Sequence, residues 1–271
     1  MDLTARRARF RQLHESGTFT MPNPHDAGSA RLLAELGFEA LATTSSGFAA
    51  SLGQMDMTVG RDALVAHVEA LAPVTDLPLN VDAEQCFPHD AGGVARTVLL
   101  LAEAGASGCS IEDWDPREKR IEPIEVAVDR VGDAALACDA AGMVLTARCE
   151  HHLRGVDDLD ATIERLRAYR EAGASCVYAP GLRDLDTIRT VVSSVRKPVN
   201  VVMSHGDPSL TLAQLAAAGV KRVSIGGSLS RLALAAVLEG VREMKDAGGF
   251  TWMRRTVRSA ELRQAFSAGS A

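Results

Sequence analysis

One phrase returns four times along this chain, and it limits the possible folds more than any other feature. It reads LAELGFEALATTS at 33–45, LAEAGASGCSIED at 101–113, YREAGASCVYAPG at 169–181 and LAAAGVKRVSIGG at 215–227. Each copy is the end of an amphipathic helix, then a glycine suited to the left-handed helix-terminating position, then a short β-prone run that closes on polar residues. The glycines at 37, 105 and 173 are spaced 68 residues apart, which leaves room for one more strand and helix between successive copies. Those strands are visible as LPLNVDAE (77–84) and MVLTARCE (143–150). Adding TFTMPNPHD (18–26) and KPVNVVMS (197–204) gives eight strands alternating with helices. Alternation of this kind implies a parallel sheet, and eight units in about 250 residues is the size of a closed barrel. The expected fold is α/β, a (β/α)₈ TIM barrel in one domain over 1–271, with a helical C-terminal extension from about 240 to 271. An open doubly wound sheet is disfavoured because no G-x-G-x-x-G follows the first strand.

In a barrel the strand C-termini and the loops after them build the active site. Here those ends read PHD (24–26), TTSSG (43–47), DAE (82–84), EDWD (112–115), ARCE (147–150), APG (179–181), MSHGD (203–207) and GGS (226–228), and five of the eight carry acids. Asp82 and Glu84 stand two apart at one strand end, so strand alternation would aim both at the same spot. Either alone could cap a helix or pair with a surface lysine. Together with other acids at the same end, and without matching histidines and thiols, they suit a hard divalent cation, Mg²⁺ kept partly hydrated.

The bulk composition narrows the partners. A net charge of −6 with acids and bases interspersed argues against nucleic-acid or anionic-membrane binding and leaves a small molecule as the expected ligand. The five cysteines, an odd number with no C-x-x-C pair, read as reduced buried thiols. The N-terminus lacks the apolar run of a signal peptide and no 18-residue apolar stretch occurs, so a cytoplasmic protein is expected.

The segments PNPHDAGSARLLAELGFEA (22–40), TTSSGFAASLGQMD (43–56), NVDAE (80–84), SIED (110–113) and TARCEHHLRG (146–155) together resemble the isocitrate lyase/phosphoenolpyruvate mutase superfamily, over nearly the whole chain from about residue 10 to 240. The resemblance implies a (β/α)₈ barrel that exchanges its eighth helix within a homodimer or homotetramer, and a Mg²⁺ cofactor that binds 2-oxo acids and stabilises a pyruvate enolate. Position by position it implies a Mg²⁺ shell of Asp82, Glu84, Glu112 and Asp56, partly through water. It assigns Thr44, Ser45, Ser46 and Gly47 to the substrate carboxylate or phosphonate, and Arg148 and Arg231 to substrate oxyanions. Arg148 and Asp56 are the catalytic candidates: the first offsets charge growing on the enolate oxygen, the second lies near a phosphoryl group if one is present.

Departures from the family pattern shape the expected chemistry. The lyase loop K-R-C-G-H, whose cysteine protonates the departing enolate, is replaced by EDWDPREKRIEPIE (112–125). Pro180 stands where the family has a glutamate, and VVMSHGD (201–207) replaces N-x-T-E-F-G. Decarboxylation of an oxaloacetate-like 2-oxo di-acid needs no such cysteine and is the expected activity. Carbon–phosphorus chemistry on phosphonopyruvate, or a barrel that binds a 2-oxo acid without turnover, are the alternatives. His151, His152 and His205 read as structural or surface residues, Cys86 as core filler, and 112–125 as a solvated loop able to act as a lid.

Overall fold

The computed structural model describes residues 1–267. The strands are β1 (Phe19–Met21), β2 (Leu41–Ala42), β3 (Leu79–Asp82), β4 (Gly108–Glu112), β5 (Trp114–Asp115), β6 (Arg120–Ile121), β7 (Val144–Arg148), β8 (Cys176–Tyr178), β9 (Val199–Val202) and β10 (Arg222–Ser224). The helices are α1 (Leu3–Leu13), α2 (Ala27–Glu35), α3 (Ser45–Ser51), α4 (Arg61–Leu71), α5 (Gly93–Glu103), α6 (Ile124–Ala141), α7 (Leu159–Glu171), α8 (Leu185–Val195), α9 (Leu212–Ala217), α10 (Ser228–Ala247) and α11 (Ser259–Ser267).

Eight strands form one parallel sheet in the order β1-β10-β9-β8-β7-β4-β3-β2, the nearly closed barrel expected from the repeats. The gap between β1 and β2 is bridged where the Ala42 N–H donates to the Pro22 carbonyl at 3.1 Å and the Asn23 amide donates to the Thr43 carbonyl at 2.8 Å. Strands β5 and β6 form a separate antiparallel hairpin in the connection after β4. The junction glycines adopt the backbone that their sequence position demands: Gly105 has φ +103° and Gly173 φ +111°. A Cβ on either would lie 2.7 Å from an alanine Cβ, of Ala72 and Ala135 respectively. Only glycine avoids both the left-handed strain and the collision.

The barrel floor is closed by α1. Phe10 is fully buried and meets His14 and Phe19 edge-on, while Arg7 donates to the carbonyls of Ala102, Ala106 and Ala141, capping the ends of α5 and α6. At the other end α10 runs for 20 residues with only Ser230 and Gly240 buried. The chain then turns back, and α11 docks on α2, where the Arg31 guanidinium donates to the Phe266 carbonyl at 2.9 Å. Of the expected C-terminal extension, residues 268–271 lie outside the described residues. No described helix is long and apolar enough to cross a membrane.

Strand register sets the site. Across β4 and β7 Glu112 is the partner of Arg148, and across β3 and β4 Asp82 is the partner of Ser110, so these side chains leave the barrel mouth side by side.

Candidate active site

The strand C-termini enclose a cavity of about 300 Å³. Asp82, Glu112, Arg148, Thr44, Ser45, Ser46 and Asp56 line it. Asp82 is oriented by α3: Ser45 donates both its backbone N–H (3.0 Å) and its hydroxyl (2.9 Å) to Asp82 Oδ2. Thr44 caps that helix by accepting from the Gly47 N–H at 3.2 Å. The other Asp82 oxygen, Oδ1, lies 3.4 Å from the Ser110 hydroxyl and 3.8 Å from Arg148 Nη1. Ser45 therefore serves Asp82, while Thr44 and Ser46 remain beside the cavity.

Arg148 is gripped on several sides. Its Nη1 is 3.1 Å from Glu112 Oε2, its Nε donates to Glu150 Oε1, and its guanidinium carbon lies 5.3 Å from the Tyr178 ring centroid. Burial works against its charge, but Glu112 and Glu150 more than offset that and hold the guanidinium firmly protonated. Glu112 is pushed well up by burial, with Arg148 opposing and the charges of Glu150, Asp82 and Glu84 adding to the rise. Its Oε1 is buried and has no partner among the described residues.

Glu84 differs from its expected place. Strand β3 ends at Asp82, Glu84 takes a left-handed backbone with φ +51°, and its side chain does not line the cavity. It occupies a small cleft behind Asp82, beside Ser45 and Phe48. The two acids meet through a turn rather than the pleat, because strand alternation had already stopped. Burial, then the charges of Asp82 and Asp56, push the Glu84 carboxyl up to about 8. Asp56, on the loop after α3, is raised by desolvation and by Asp82. Gly47 and Arg231 also lie outside the cavity lining. Gly47 is there for space, since a Cβ would sit 2.5 Å from Thr44 Cγ2. Arg231 is exposed on the first turn of α10.

Among the described residues, no group of three or more His, Cys, Asp or Glu side chains is gathered closely enough to hold a metal by itself. The donors instead fit a hydrated hard cation. One carboxylate, Asp82, is preset and faces the cavity. Glu112 offers an unpartnered buried oxygen that a metal-bound water could satisfy, and the mutual repulsion of Asp82, Glu84 and Asp56 would be relieved by added positive charge.

Several cavity residues escaped the sequence reading. Tyr178, Arg154, Arg222 and His205 all line it. His205, expected as structural, sits on a short 3-10 turn after β9 (Met203–His205). His151 and His152 hold to the expectation, the first bonded to Thr162 at 3.1 Å and the second 3.5 Å from Asp157. All five cysteines are buried. The 112–125 connection is not simply a solvated lid. Asp113, at its base, accepts from the Tyr169 hydroxyl (2.6 Å), Arg165 (3.1 Å) and the Glu150 N–H (2.8 Å), and Glu122 pairs with Arg130 at 2.9 Å. Ion pairs on two buried carboxylates thus pin both ends of the β5–β6 hairpin, and its tip is exposed.

The family described as phosphoenolpyruvate phosphomutase matches residues 10–245. The chain belongs to the isocitrate lyase/phosphoenolpyruvate mutase superfamily. A crystal structure from Burkholderia cenocepacia J2315, assigned to the lyase/mutase class, is 47% identical and covers 98% of each chain with a TM-score of 0.94. The 2-methylisocitrate lyase of Escherichia coli K12 is 33% identical over 72% of this chain and 69% of its own length. An oxaloacetate decarboxylase of Chromohalobacter salexigens is 29% identical over 82% of this chain and 78% of its own. A phosphonopyruvate hydrolase in complex with oxalate and Mg²⁺ is 25% identical, covers 96% of this chain and 94% of its own, and has a TM-score of 0.84. Relatives of this superfamily member are thus enzymes acting on small molecules, and one related structure holds Mg²⁺.

Proposed function

We propose that this superfamily member is a Mg²⁺-dependent lyase that decarboxylates a small 2-oxo di-acid of the oxaloacetate type through the enolate of pyruvate. The observation that carries the reading is the pairing of a preset carboxylate, Asp82, with a buried unpartnered oxygen on Glu112, both against Arg148 in one cavity. Asp82 would hold the cation, with Glu112 and Asp56 engaged through water and Glu84 adding negative charge from behind Asp82; when bound, the ion supplies Lewis-acid polarisation of the 2-oxo group.

The chain's own groups then act as follows. Thr44 and Ser46, at the start of α3, offer hydroxyls to the substrate carboxylate next to the oxo group. Arg148, fixed by Glu112 and Glu150, keeps its positive charge near the oxo oxygen, where negative charge grows as the bond from C3 to the departing carboxylate breaks. The bonding pair moves into C2–C3 and onto that oxygen, CO₂ leaves, and a solvent proton on C3 completes pyruvate. No loop cysteine is required, which fits its absence. The relative named oxaloacetate decarboxylase supports the same reading.

Purified protein with Mg²⁺ should release pyruvate from oxaloacetate well above the rate of Mg²⁺ alone; equal rates would reject the activity. A second reading, hydrolysis or rearrangement of phosphonopyruvate, is favoured by Asp56 at the cavity wall and by the related hydrolase. Phosphorus NMR decides it, because an unchanged phosphonate resonance excludes both outcomes.

We also infer a homo-oligomer. Leu232, Leu234, Val237, Leu238, Val241 and Met244 of α10 are exposed, a row too apolar for a helix that stays in water, and exchange of this helix between subunits would cover it. Light scattering that gives a monomer mass would contradict this.

A further inference from the structure

Three arginines line the cavity, and they differ in what is left for a ligand. Arg148 already faces Glu112, Asp82 and Glu150. Arg222 is only 2% exposed and spends its guanidinium on Asn200 Oδ1 (2.8 Å), Thr146 Oγ1 (2.9 Å) and His14 Nε2 (3.3 Å). Arg154 uses one donor: its Nε donates to Glu150 Oε2 at 3.1 Å, and among the described residues neither Nη1 nor Nη2 has a hydrogen-bond partner.

Arg154 is also held in place. Its guanidinium carbon lies 3.9 Å from the ring centroid of Trp114, so one face is covered by the β5–β6 hairpin, whose base is locked by Asp113 with Arg165 and Tyr169. Glu150, which fixes its Nε, is itself fully buried and anchored through its backbone N–H to Asp113. A guanidinium stacked on an aromatic ring and tethered at Nε keeps two parallel Nη donors in one orientation, the arrangement that matches a carboxylate with two hydrogen bonds.

We propose that Arg154 is the specificity-determining residue that receives the second carboxylate of the substrate, with Trp114 and Glu150 presetting it. This rests on the reading of the site as one for 2-oxo di-acids, and it assigns the choice of di-acid over mono-acid to the segment just after β7. It also predicts an unusual kinetic signature. In decarboxylation the gripped carboxylate loses its charge as CO₂ forms, so the contact is stronger in the ground state than in the transition state. Arg154 supplies affinity and selection, not rate.

The test combines binding and turnover in the full-length protein with Mg²⁺. Calorimetry compares oxalate, which has no tail, with 3,3-difluorooxaloacetate, which carries the second carboxylate. Arg154→Met should weaken the difluoro compound by about ten- to hundredfold while changing oxalate by less than about threefold, and Arg154→Lys should fall between. With oxaloacetate, R154M should raise KM and leave kcat unchanged or higher. Equal weakening of both ligands, or a fall in kcat at constant KM, would show that Arg154 acts only through Glu150 and Arg148 and would overturn the proposal. So would no change in either ligand. If the wild-type protein binds both ligands but does not turn over oxaloacetate, the decarboxylase reading fails while the ratio of the two affinities still decides Arg154. Binding of neither ligand would remove both.

Discussion

Ser45 gives two hydrogen bonds, one from its backbone and one from its side chain, to a single oxygen of Asp82, at 3.0 and 2.9 Å. The serine thereby fixes which Asp82 oxygen faces the cavity, as an outer partner does for a metal-binding carboxylate. Ser45→Ala keeps the backbone bond and loses the other. Its Mg²⁺ affinity should fall by about tenfold, while kcat at saturating Mg²⁺ stays close to wild type. Titration of activity against Mg²⁺ checks this; an unchanged midpoint would mean that Ser45 does not orient the carboxylate.

Glu150 is fully buried between Arg148 and Arg154. Removing it leaves two cations facing each other with their shared counter-charge gone. Glu150→Ala should cost on the order of 3–5 kcal/mol in urea unfolding, the usual penalty for breaking a buried ion pair from one side. A loss below about 1 kcal/mol would mean that the two arginines find other partners.

Stability should also depend on His14. Its Nδ1 bonds the Phe10 carbonyl at 2.8 Å, which leaves Nε2 as the acceptor for Arg222. A proton there would face a buried guanidinium, and burial together with Arg222 pushes His14 down from 6.5 to about 3. The unfolded chain therefore takes up a proton near pH 6.5 that the folded chain refuses until about pH 3. This contribution is complete above pH 6.5 and is lost as the pH falls below it, by up to about 1.4 kcal/mol per pH unit. His14→Gln should lack that slope, so the difference between wild-type and variant unfolding curves should narrow steadily from pH 6.5 to 4. A constant difference would show that His14 is not held neutral.

Gly173 tests the repeat that first suggested the barrel. With φ +111° and a Cβ position 2.7 Å from Ala135 Cβ, Gly173→Ala should destabilise the fold by about 1–3 kcal/mol and leave the substrate KM unchanged, because the α7–β8 junction lies away from the cavity. A shift in KM would show that the junction is coupled to the site.

The barrel was readable in the sequence because its signals are local: each junction glycine sits directly between its helix and its strand, and the strand ends name the residues that face the mouth. Asp82 is legible in this way, Glu112 and Arg148 through the likeness of SIED and TARCE to the superfamily, and strand register sets these side chains next to one another. Glu84 was misplaced because a left-handed residue just past β3 ended the alternation on which its orientation was inferred. Arg154 was invisible for a different reason. It lies in a short 3-10 turn (His151–Arg154) whose placement comes from Glu150 and from Trp114, a residue 40 positions earlier, and no local spacing encodes that contact. The 112–125 segment reads as solvated from its charges, yet Asp113 and Glu122 are buried and spend theirs on half-buried arginines of α7 and α6.

The most direct measurement is a crystal structure of the protein grown with Mg²⁺ and oxalate. A Mg²⁺ ion should lie on Asp82, with water between it and Glu112, and oxalate should bind beside it against Arg148. Oxalate held without any ion, with Asp82 closed onto Arg148 as a direct salt bridge, would contradict the account.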